Sequence, residues 1–166
     1  YVAGFYSVTS HVAFGKRVGA MPSGRLASQP FSSGISPSSG MDRLGPTAAL
    51  RSAASLPLQI AKNGVNFNLQ LAPWLVAGSE GARTLQALID GGFAAGCMQA
   101  QVNVLDPKIL IDARDNPGRY PGLLVRVSGY SAYFDDLSPE MKQEIIERTL
   151  HDGPKPEATQ GEPQGG

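Results

Sequence analysis

The sequence predicts an α/β fold, because segments with the period of a strand alternate with segments with the period of a helix. Apolar residues take every second position in 65–71 and again in 98–104, and a helical pattern fills 79–91 between them. No glycine-rich phosphate loop follows either strand, which argues against a nucleotide-binding arrangement. The pattern therefore predicts a sheet with a connecting helix and no nucleotide site.

The polar faces of these two strands carry only amide side chains. They are Asn66, Asn68, Gln70, Gln99, Gln101 and Asn103. A solvated sheet face usually carries charged residues, whereas amides suit an enclosed face on which they can form hydrogen bonds. We therefore expect a sheet or barrel that is covered on both sides, with one side polar enough to line a cavity.

Capping residues, prolines in first turns and glycine stops mark the helices. They predict helices that begin at Pro46, Ser79, Asp106 and Ser138, and the second of these is expected to end at Gly91. Together with the strands, these helices complete the predicted α/β pattern.

Three further segments have their own composition. Residues 1–9 are aromatic and β-branched, which favours a strand. Residues 21–45 are rich in Ser, Gly and Pro, but apolar residues such as Ile35 recur, so we expect an ordered loop packed over a core, not a flexible linker. Residues 153–166 lack periodicity and are expected to form a disordered tail.

Composition narrows the function classes. The 14 basic residues balance the 14 acidic ones, so no basic field indicates a nucleic-acid partner. Charged residues make up 17% of the chain, against about 25% in typical proteins. That low value is expected of a segment covered by other protein. No apolar run approaches the roughly 20 residues that span a membrane.

The single cysteine bears on the redox setting, and the first residue bears on whether the chain is part of a longer polypeptide. Cys97 alone allows no internal disulfide, which favours a reducing, cytoplasmic setting. The chain begins at Tyr1 within a strand-like pattern. We expect it to be the C-terminal part of a longer polypeptide.

Few residues suit polar catalysis. His11 and His151, the only histidines, lie far apart in sequence and neither has a ligand-spaced cysteine or carboxylate beside it, so a metal site is not expected. Cys97 is interpreted as a small buried apolar residue. Asp135 and Asp136 precede the last helix, where their charge favours its N-terminus. They are interpreted as capping residues, not as acid–base groups.

Gly129 stands between two runs of strand-forming residues. Val125 and Val127 alternate with Leu124 and Arg126 before it, and a second strand-like run over 130–134 follows it. A glycine in such a pattern marks a bend, a bulge or a close approach by another group. The segment therefore predicts a turn at Gly129.

The residues around this glycine resemble a specific motif. Arg126, Val127, Ser128, Gly129 and Tyr130 are similar to the glycyl-radical motif R-V-[SA]-G-[YF]. The family that carries it includes pyruvate formate-lyase, the glycerol and propanediol dehydratases, choline trimethylamine-lyase, the arylacetate decarboxylases and benzylsuccinate synthase.

The resemblance extends over nearly all of residues 5–151. "MPSGRLASQPFSSGISPSSGMDRLGPTA" resembles the family segment that ends in G-P-T-A, and "CMQAQVNVLDPKILIDARDNPGRYPGLLVRVSGYSAYF" resembles its approach to the radical strand. "IIERT" matches the closing helix of the family. Several motifs thus occur in family order.

The resemblance implies a fold and a radical site. The fold would be the C-terminal part of a ten-stranded α/β barrel, with residues 1–45 ending the lyase-like domain and 46–152 forming the glycine radical domain. Gly129 would store the radical, because its Cα radical is stabilised by the donating amide nitrogen and the withdrawing carbonyl, and a Cβ would crowd that planar centre. The apolar Val125, Val127, Tyr130 and Phe134 are expected to keep the site dry.

The resemblance also implies partners. A radical S-adenosylmethionine activating enzyme would remove one hydrogen of Gly129, and no cofactor would stay bound. The radical would pass to a cysteine thiyl that attacks a small-molecule substrate, within a homodimer. In the family that cysteine lies on an upstream loop that nothing in this chain matches, so the chain alone is expected to be inactive.

Other interpretations remain open. The chain could be a stand-alone spare-part carrier of the radical, a fumarate-adding alkyl- or benzylsuccinate synthase, or a structural module with a glycine bend. "GYSAYF" is closer to the dehydratase, decarboxylase and alkylsuccinate synthase branches than to the "GYAVRF" of pyruvate formate-lyase. The sequence does not select one substrate.

Overall fold

A computed structural model of the chain describes residues 1–149. Helices and strands alternate in it, which confirms the α/β prediction, whereas the expected disordered tail lies outside the described residues. The helices are α1 (Ser10–Gly15), α2 (Pro46–Ala54), α3 (Gly78–Ala94), α4 (Pro107–Asp115) and α5 (Pro139–Thr149). The strands are β1 (Asn68–Leu71), β2 (Gln101–Val104), β3 (Leu124–Arg126) and β4 (Ser131–Tyr133).

The strands β1 and β2 pair in parallel, with Asn68 opposite Gln101 and Leu71 opposite Val104. A parallel pair needs a crossover connection, and α3 supplies it. Both strands lie within the predicted segments but are shorter. Before the ladder begins, the Phe67 amide donates to the Gln99 side chain at 2.6 Å instead of to a neighbouring strand.

The strands β3 and β4 form an antiparallel hairpin, in which Val125 lies opposite Ala132. This confirms the prediction of strands on both sides of Gly129. Val125 and Val127 are buried, whereas Leu124 is exposed, so one face of the hairpin packs against the core.

Two apolar clusters make up the core of the described chain. The first joins α1, α4, α5 and β3 beneath the hairpin, and its buried members are Val12, Leu110, Ala113, Val125, Val127, Phe134, Met141, Ile145 and Ile146. The second joins α2 to β1 and includes Leu50, Phe67, Leu71 and Cys97. The hairpin therefore packs against the first cluster, and the parallel pair packs against the second.

The end of α3 differs from the prediction. The helix continues past Gly91 to Ala94 and stops at Gly96, whose φ is +107°. The amide of Cys97 donates to the carbonyl of Gly92 at 3.0 Å, as in a Schellman motif, which requires a left-handed residue just past the helix. Gly91 was the wrong stop because a glycine ends a helix only where the backbone turns to positive φ.

Gly92 has a packing role inside α3. A Cβ there would lie 3.0 Å from Leu50 Cδ2, so the missing side chain lets α2 approach. The predicted N-cap Ser79 is also wrong, because the helix begins at Gly78 and Ala77 occupies the capping position.

The start of the chain is not the predicted strand. Residues 1–9 make a single bridge, between Phe5 and Val65, and α1 begins at Ser10. The Phe5 amide bonds to Gly64 O and its carbonyl accepts from Asn66 N. Among the described residues, no further pairing extends this bridge into a ladder.

The serine-rich loop before α2 is ordered only in part by apolar packing. Ile35 packs against the second core cluster, as predicted for an ordered loop, but Leu26, Met41 and Leu44 are exposed. The buried Ser33 and Ser36 attach the loop by hydrogen bonds instead. The loop is therefore held by polar as well as apolar contacts.

The last two helices begin at side-chain caps. Asp106 accepts from the amide of Lys108 at 2.9 Å, and Ser138 accepts from Met141 N at 3.3 Å, as predicted. The Asp135 carboxylate accepts from the Gly118 amide at 3.1 Å and lies 4.0 Å from Lys142 Nζ of α5, so that the favourable charge of Asp135 and Asp136 at the start of α5 stays a prediction. The bond to Gly118 ties the loop after α4 to the end of the hairpin.

Candidate functional site

Gly129 lies in the turn of the β3–β4 hairpin. The Val127 amide donates to the Tyr130 carbonyl at 2.9 Å, so Ser128 and Gly129 are the two central residues. The φ of Gly129 is +78°, in the left-handed region that favours glycine over residues with a Cβ. The predicted turn is confirmed.

The space around Gly129 is open. Apart from Gly129 and its two chain neighbours, no atom of the described residues lies within 4 Å of a Cβ built at this position. The backbone conformation therefore demands glycine here, whereas no contact within residues 1–149 does so. Any close approach to this Cα must come from outside the described residues.

The expected apolar shield covers only one side of the turn. Val125, Val127 and Phe134 are buried below it. Gly129 and Tyr130 are exposed, and the Tyr130 side chain does not close the outer side. Within residues 1–149 the core packs against the inner face of the hairpin alone, so the shielding by Tyr130 stays a prediction for the longer protein.

Ser128 attaches the turn to three distant segments. It is buried, and its hydroxyl donates to the carbonyl of Ser7 at 2.8 Å. The same oxygen accepts from Asn66 Nδ2 at 2.5 Å and from Ser33 Oγ at 3.3 Å. The hydroxyl therefore uses its one donor and both lone pairs, and the residue before Gly129 is fixed in place.

Gln101, in β2, attaches the turn to the parallel sheet. Its Oε1 accepts from the Gly129 amide at 3.3 Å and from Arg126 Nε at 3.2 Å. Its Nε2 donates to Asn68 Oδ1 at 2.7 Å. Arg126 also donates to Ser131 Oγ across the hairpin at 3.2 Å. The sequence motif included Arg126 but gave no partner for it, since Gln101 is 25 residues away.

The amide face of β1 and β2 is enclosed, as predicted. Asn66, Asn68, Gln70 and Asn103 are all buried. Asn68 donates to Ser33 Oγ at 3.1 Å, whereas neither amide atom of Gln70 has a hydrogen-bond partner within residues 1–149. Within residues 1–149 the face is therefore only partly satisfied, since Asn66 Oδ1 and Asn103 Nδ2 also lack a partner.

A cavity of about 260 Å³ lies beside the turn, and its lining includes Ser7, Asn66, Ser128 and Gly129. It gives Gly129 an open side next to the hydroxyl and amide groups. A small group from another molecule or chain segment fits this volume.

A buried charged cluster lies on the opposite side of the hairpin. Arg148 donates to Glu144 at 2.6 Å and to the carbonyl of Val127 at 3.4 Å, and His11 Nε2 lies 3.6 Å from Glu144. Burial raises the pKa of Glu144, but the nearby His11 and the charge of Arg148 outweigh it, so that pKa lies below its ordinary value of 4.5.

Sequence reasoning missed this cluster. The spacing of Glu144 and Arg148, four residues apart on α5, is a usable signal for an ion pair. Nothing in the sequence places His11 beside them, because α1 reaches α5 only through the fold.

Other candidate residues stay in structural roles. Cys97 is buried in the second core cluster, and its thiol donates to Gln99 O at 3.3 Å, in keeping with its interpretation as a small buried residue. Within residues 1–149, no group of three or more His, Cys, Asp or Glu could hold a metal ion. In the same part of the chain no helix is long and apolar enough to cross a membrane.

Comparison with known proteins gives one consistent result. The family described as "Glycine radical" matches residues 31–135, which include all four strands of the structure. Formate acetyltransferase of Haemophilus influenzae is 39% identical over 151 residues, which cover 87% of this chain and 20% of that protein. Isethionate sulfite-lyase of Oleidesulfovibrio alaskensis is 42% identical over 146 residues, 87% of this chain and 18% of that protein.

A solved structure agrees in fold. The glycerol-bound B12-independent glycerol dehydratase from Clostridium butyricum superposes with a TM-score of 0.86 at 42% identity, over 89% of this chain and 19% of that one. The chain thus spans about a fifth of the length of these proteins. The family match includes the hairpin together with Ser33, Asn66 and Gln101, which contact its turn. The chain belongs to the glycyl radical family.

Proposed function

We propose that Gly129 stores a glycyl radical for a glycyl radical enzyme of the lyase or dehydratase type. The observation that carries this proposal is the exposed turn at Gly129, which lies inside the family match, has a φ of +78° and has open space where a Cβ would stand. The Cα–H bonds of this residue are accessible, while its neighbours on both sides are fixed.

The chemistry needs glycine at this position. An activating enzyme of the radical S-adenosylmethionine class removes one Cα hydrogen atom and leaves an unpaired electron at Cα. The amide nitrogen donates into the half-filled orbital and the carbonyl withdraws from it, and this stabilisation requires a nearly planar centre. A cysteine thiol then returns a hydrogen atom to Cα and becomes the thiyl radical that attacks the substrate.

We place that cysteine outside this chain. Cys97 packs with α2 and β1 and not in the hairpin cluster, and its thiol is buried. The remainder of a longer protein would supply the thiyl loop and the substrate site. The chain by itself is then inactive.

The rest of the assembly follows the same proposal. The two small sheets would join a ten-stranded barrel, with residues 1–45 ending the lyase-like domain and 46–152 forming the glycine radical domain. The partners would be the activating enzyme, the cysteine-bearing remainder, a small-molecule substrate and a second copy in a homodimer, in a cytoplasmic setting under anaerobic conditions.

The reaction is proposed only as a class. Relatives named for acetyl transfer, sulfite elimination and glycerol dehydration share 39%, 42% and 42% identity with the chain, so these values favour no single reaction. "GYSAYF" favours the dehydratase, decarboxylase or alkylsuccinate synthase branches. A spare-part carrier fits less well, because the match begins at residue 31, far ahead of the turn.

Anaerobic activation tests the proposal. The full-length protein, treated with its activating enzyme, should give an organic radical with a doublet-like electron paramagnetic resonance signal, and air should then cut the backbone at residue 129. Gly129→Ala should lose both properties. Gly122→Ala is a matched control, because a Cβ there also meets open space, and it should retain both. A wild-type protein that shows no radical and stays intact in air would refute the assignment.

A further inference from the structure

The amide of Gly129 begins a chain of hydrogen bonds that all run in one direction. Each member donates to the next, and the distances are 3.3, 2.7, 3.1, 3.3 and 2.8 Å in order. We call this chain the Gly129 relay, and its members are Gly129, Gln101, Asn68, Ser33, Ser128 and Ser7. It leaves the glycine through its own N–H and returns to Ser128, the residue that precedes it.

The direction of the relay is fixed at its far end. A main-chain carbonyl only accepts, so Ser128 must donate to Ser7 and accept from Ser33. Ser33 then accepts from the amide nitrogen of Asn68, which leaves the oxygen of Asn68 to accept from Gln101.

This sequence of bonds turns the oxygen of Gln101 toward Gly129. With its nitrogen committed to Asn68, the Gln101 amide presents Oε1 to the Gly129 N–H and to Arg126 Nε. An amide oxygen has two lone pairs, so it accepts both bonds. The opposite orientation would place an NH₂ group against two donors.

We propose that Gln101 is a positioning residue that tunes the electronic structure of the radical at Gly129. This inference rests on the proposed function. An acceptor on an amide N–H makes its nitrogen a better electron donor, and donation from that nitrogen stabilises a Cα radical and draws spin onto it. Hydrogen bonds aligned in one direction polarise one another, so the relay strengthens the acceptor.

The relay also holds the acceptor itself in place, because Gln101 Nε2 donates to Asn68 Oδ1 at 2.7 Å. Gln101 lies in β2, which pairs with β1 through Asn68, and both are anchored on the buried amide face. The acceptor therefore stays in place when hydrogen is removed from the exposed Cα, whose own side of the turn is open.

Electron paramagnetic resonance of the activated full-length protein tests this role, with uniform ¹⁵N labelling to read the nitrogen. Gln101→Leu removes the acceptor, so the Cα-proton splitting should increase and the ¹⁵N coupling should decrease. Gln101→Glu loses the bond to Asn68 Oδ1 but places a charged acceptor at the Gly129 N–H beside Arg126. Because a carboxylate is a stronger acceptor than an amide oxygen, both couplings should move in the opposite direction. A purely structural role would not give shifts of opposite sign.

Gln99→Leu is the matched control. Gln99 lies two residues away and also accepts from a main-chain amide, that of Phe67, but it makes no hydrogen bond to Gly129. Its spectrum should match the wild type. If wild type gives the radical and both Gln101 variants have unchanged couplings, the tuning role is wrong while the proposed function stands.

The remaining outcomes are also decisive. If Gln101→Leu holds no radical, the Cα-proton splitting and the ¹⁵N coupling of Gln101→Glu decide whether Gln101 tunes the radical. If neither variant holds a radical while Gln99→Leu does, Gln101 serves the formation of the site and the tuning role is overturned. Absence of a radical in wild type would instead refute the proposed function.

Discussion

The guanidinium of Arg148 donates to the main-chain carbonyl of Val127 at 3.4 Å, so α5 is attached directly to the hairpin that holds Gly129. The same side chain is paired with the buried Glu144. The turn is therefore held from two sides, by α5 on one and by the Gly129 relay on the other. This arrangement leads to four predictions.

Arg148→Ala should loosen the hairpin. It leaves Glu144 buried without its partner, a change that typically costs about 3–5 kcal/mol. If that cost falls on local opening, amide exchange in residues 124–133 should become at least roughly a hundredfold faster, since about 1.4 kcal/mol is a factor of ten. Hydrogen–deuterium exchange mass spectrometry measures this.

Arg114→Ala is the control for that measurement, because Arg114 pairs with Asp115 at a more exposed site. It should leave exchange in the hairpin unchanged. Equal exchange in the Arg148 variant and the wild type would show that the hydrogen bond to Val127 does not hold the turn.

Acid should loosen the same contact. The pKa of Glu144 lies below its ordinary value of 4.5 in the folded protein, so this carboxylate contributes stability that is fully present above about pH 4.5. The contribution is lost as the pH falls below 4.5 and through the lowered folded-state pKa. Hairpin exchange, corrected for intrinsic rates, should therefore accelerate in that acidic range.

Glu144→Gln removes the titrating group and should flatten this acid dependence. The variant will be less protected near neutral pH, because it loses the pairing with Arg148. If hairpin exchange in Glu144→Gln accelerates in acid as much as it does in the wild type, the effect belongs to another carboxylate.

Gly129→Ala should leave the hairpin folded but strained. Its φ of +78° costs a residue with a Cβ about 1–2 kcal/mol, and the open space around the position adds no clash. Exchange of the turn amides should rise roughly 5- to 30-fold, far less than in an unfolded hairpin. Gly122→Ala, which lacks the positive φ, should show no such rise. Full loss of protection would reveal contacts with Gly129 from outside the described residues.

Ser128→Ala should break the relay at its far end. It leaves the buried donors of Asn66 and Ser33 without an acceptor, which costs about 1–3 kcal/mol. The radical should still form, because Gly129 and its bond to Gln101 remain, but its ¹⁵N coupling should fall slightly toward the Gln101→Leu value.

Ser131→Ala provides the comparison for Ser128→Ala, because Ser131 sits on the exposed side of the hairpin and contacts Arg126. Its spectrum should stay at the wild-type value. Identical spectra for both serine variants and the wild type would show that polarisation does not travel along the relay.

Periodicity and capping predicted much of the fold. The alternation in 65–71 and 98–104 located β1 and β2, and Asp106 and Ser138 located the starts of α4 and α5. These signals are local, since they depend on neighbours in sequence. The errors came where local signals were ambiguous, as at Gly91, which the sequence predicts as a helix stop although α3 continues to Ala94.

The sequence by itself determined the family and the candidate glycine, because the motif around Gly129 and the segments before it depend only on residue order. Only the tertiary structure decided what holds that glycine. Gln101, Ser7, Ser33 and Arg148 lie 19 to 122 residues from Gly129, and their bonds exist because two sheets, a loop and a helix end at one place. Hydrogen bonds depend on distance and direction in space, and sequence patterns carry neither across such separations.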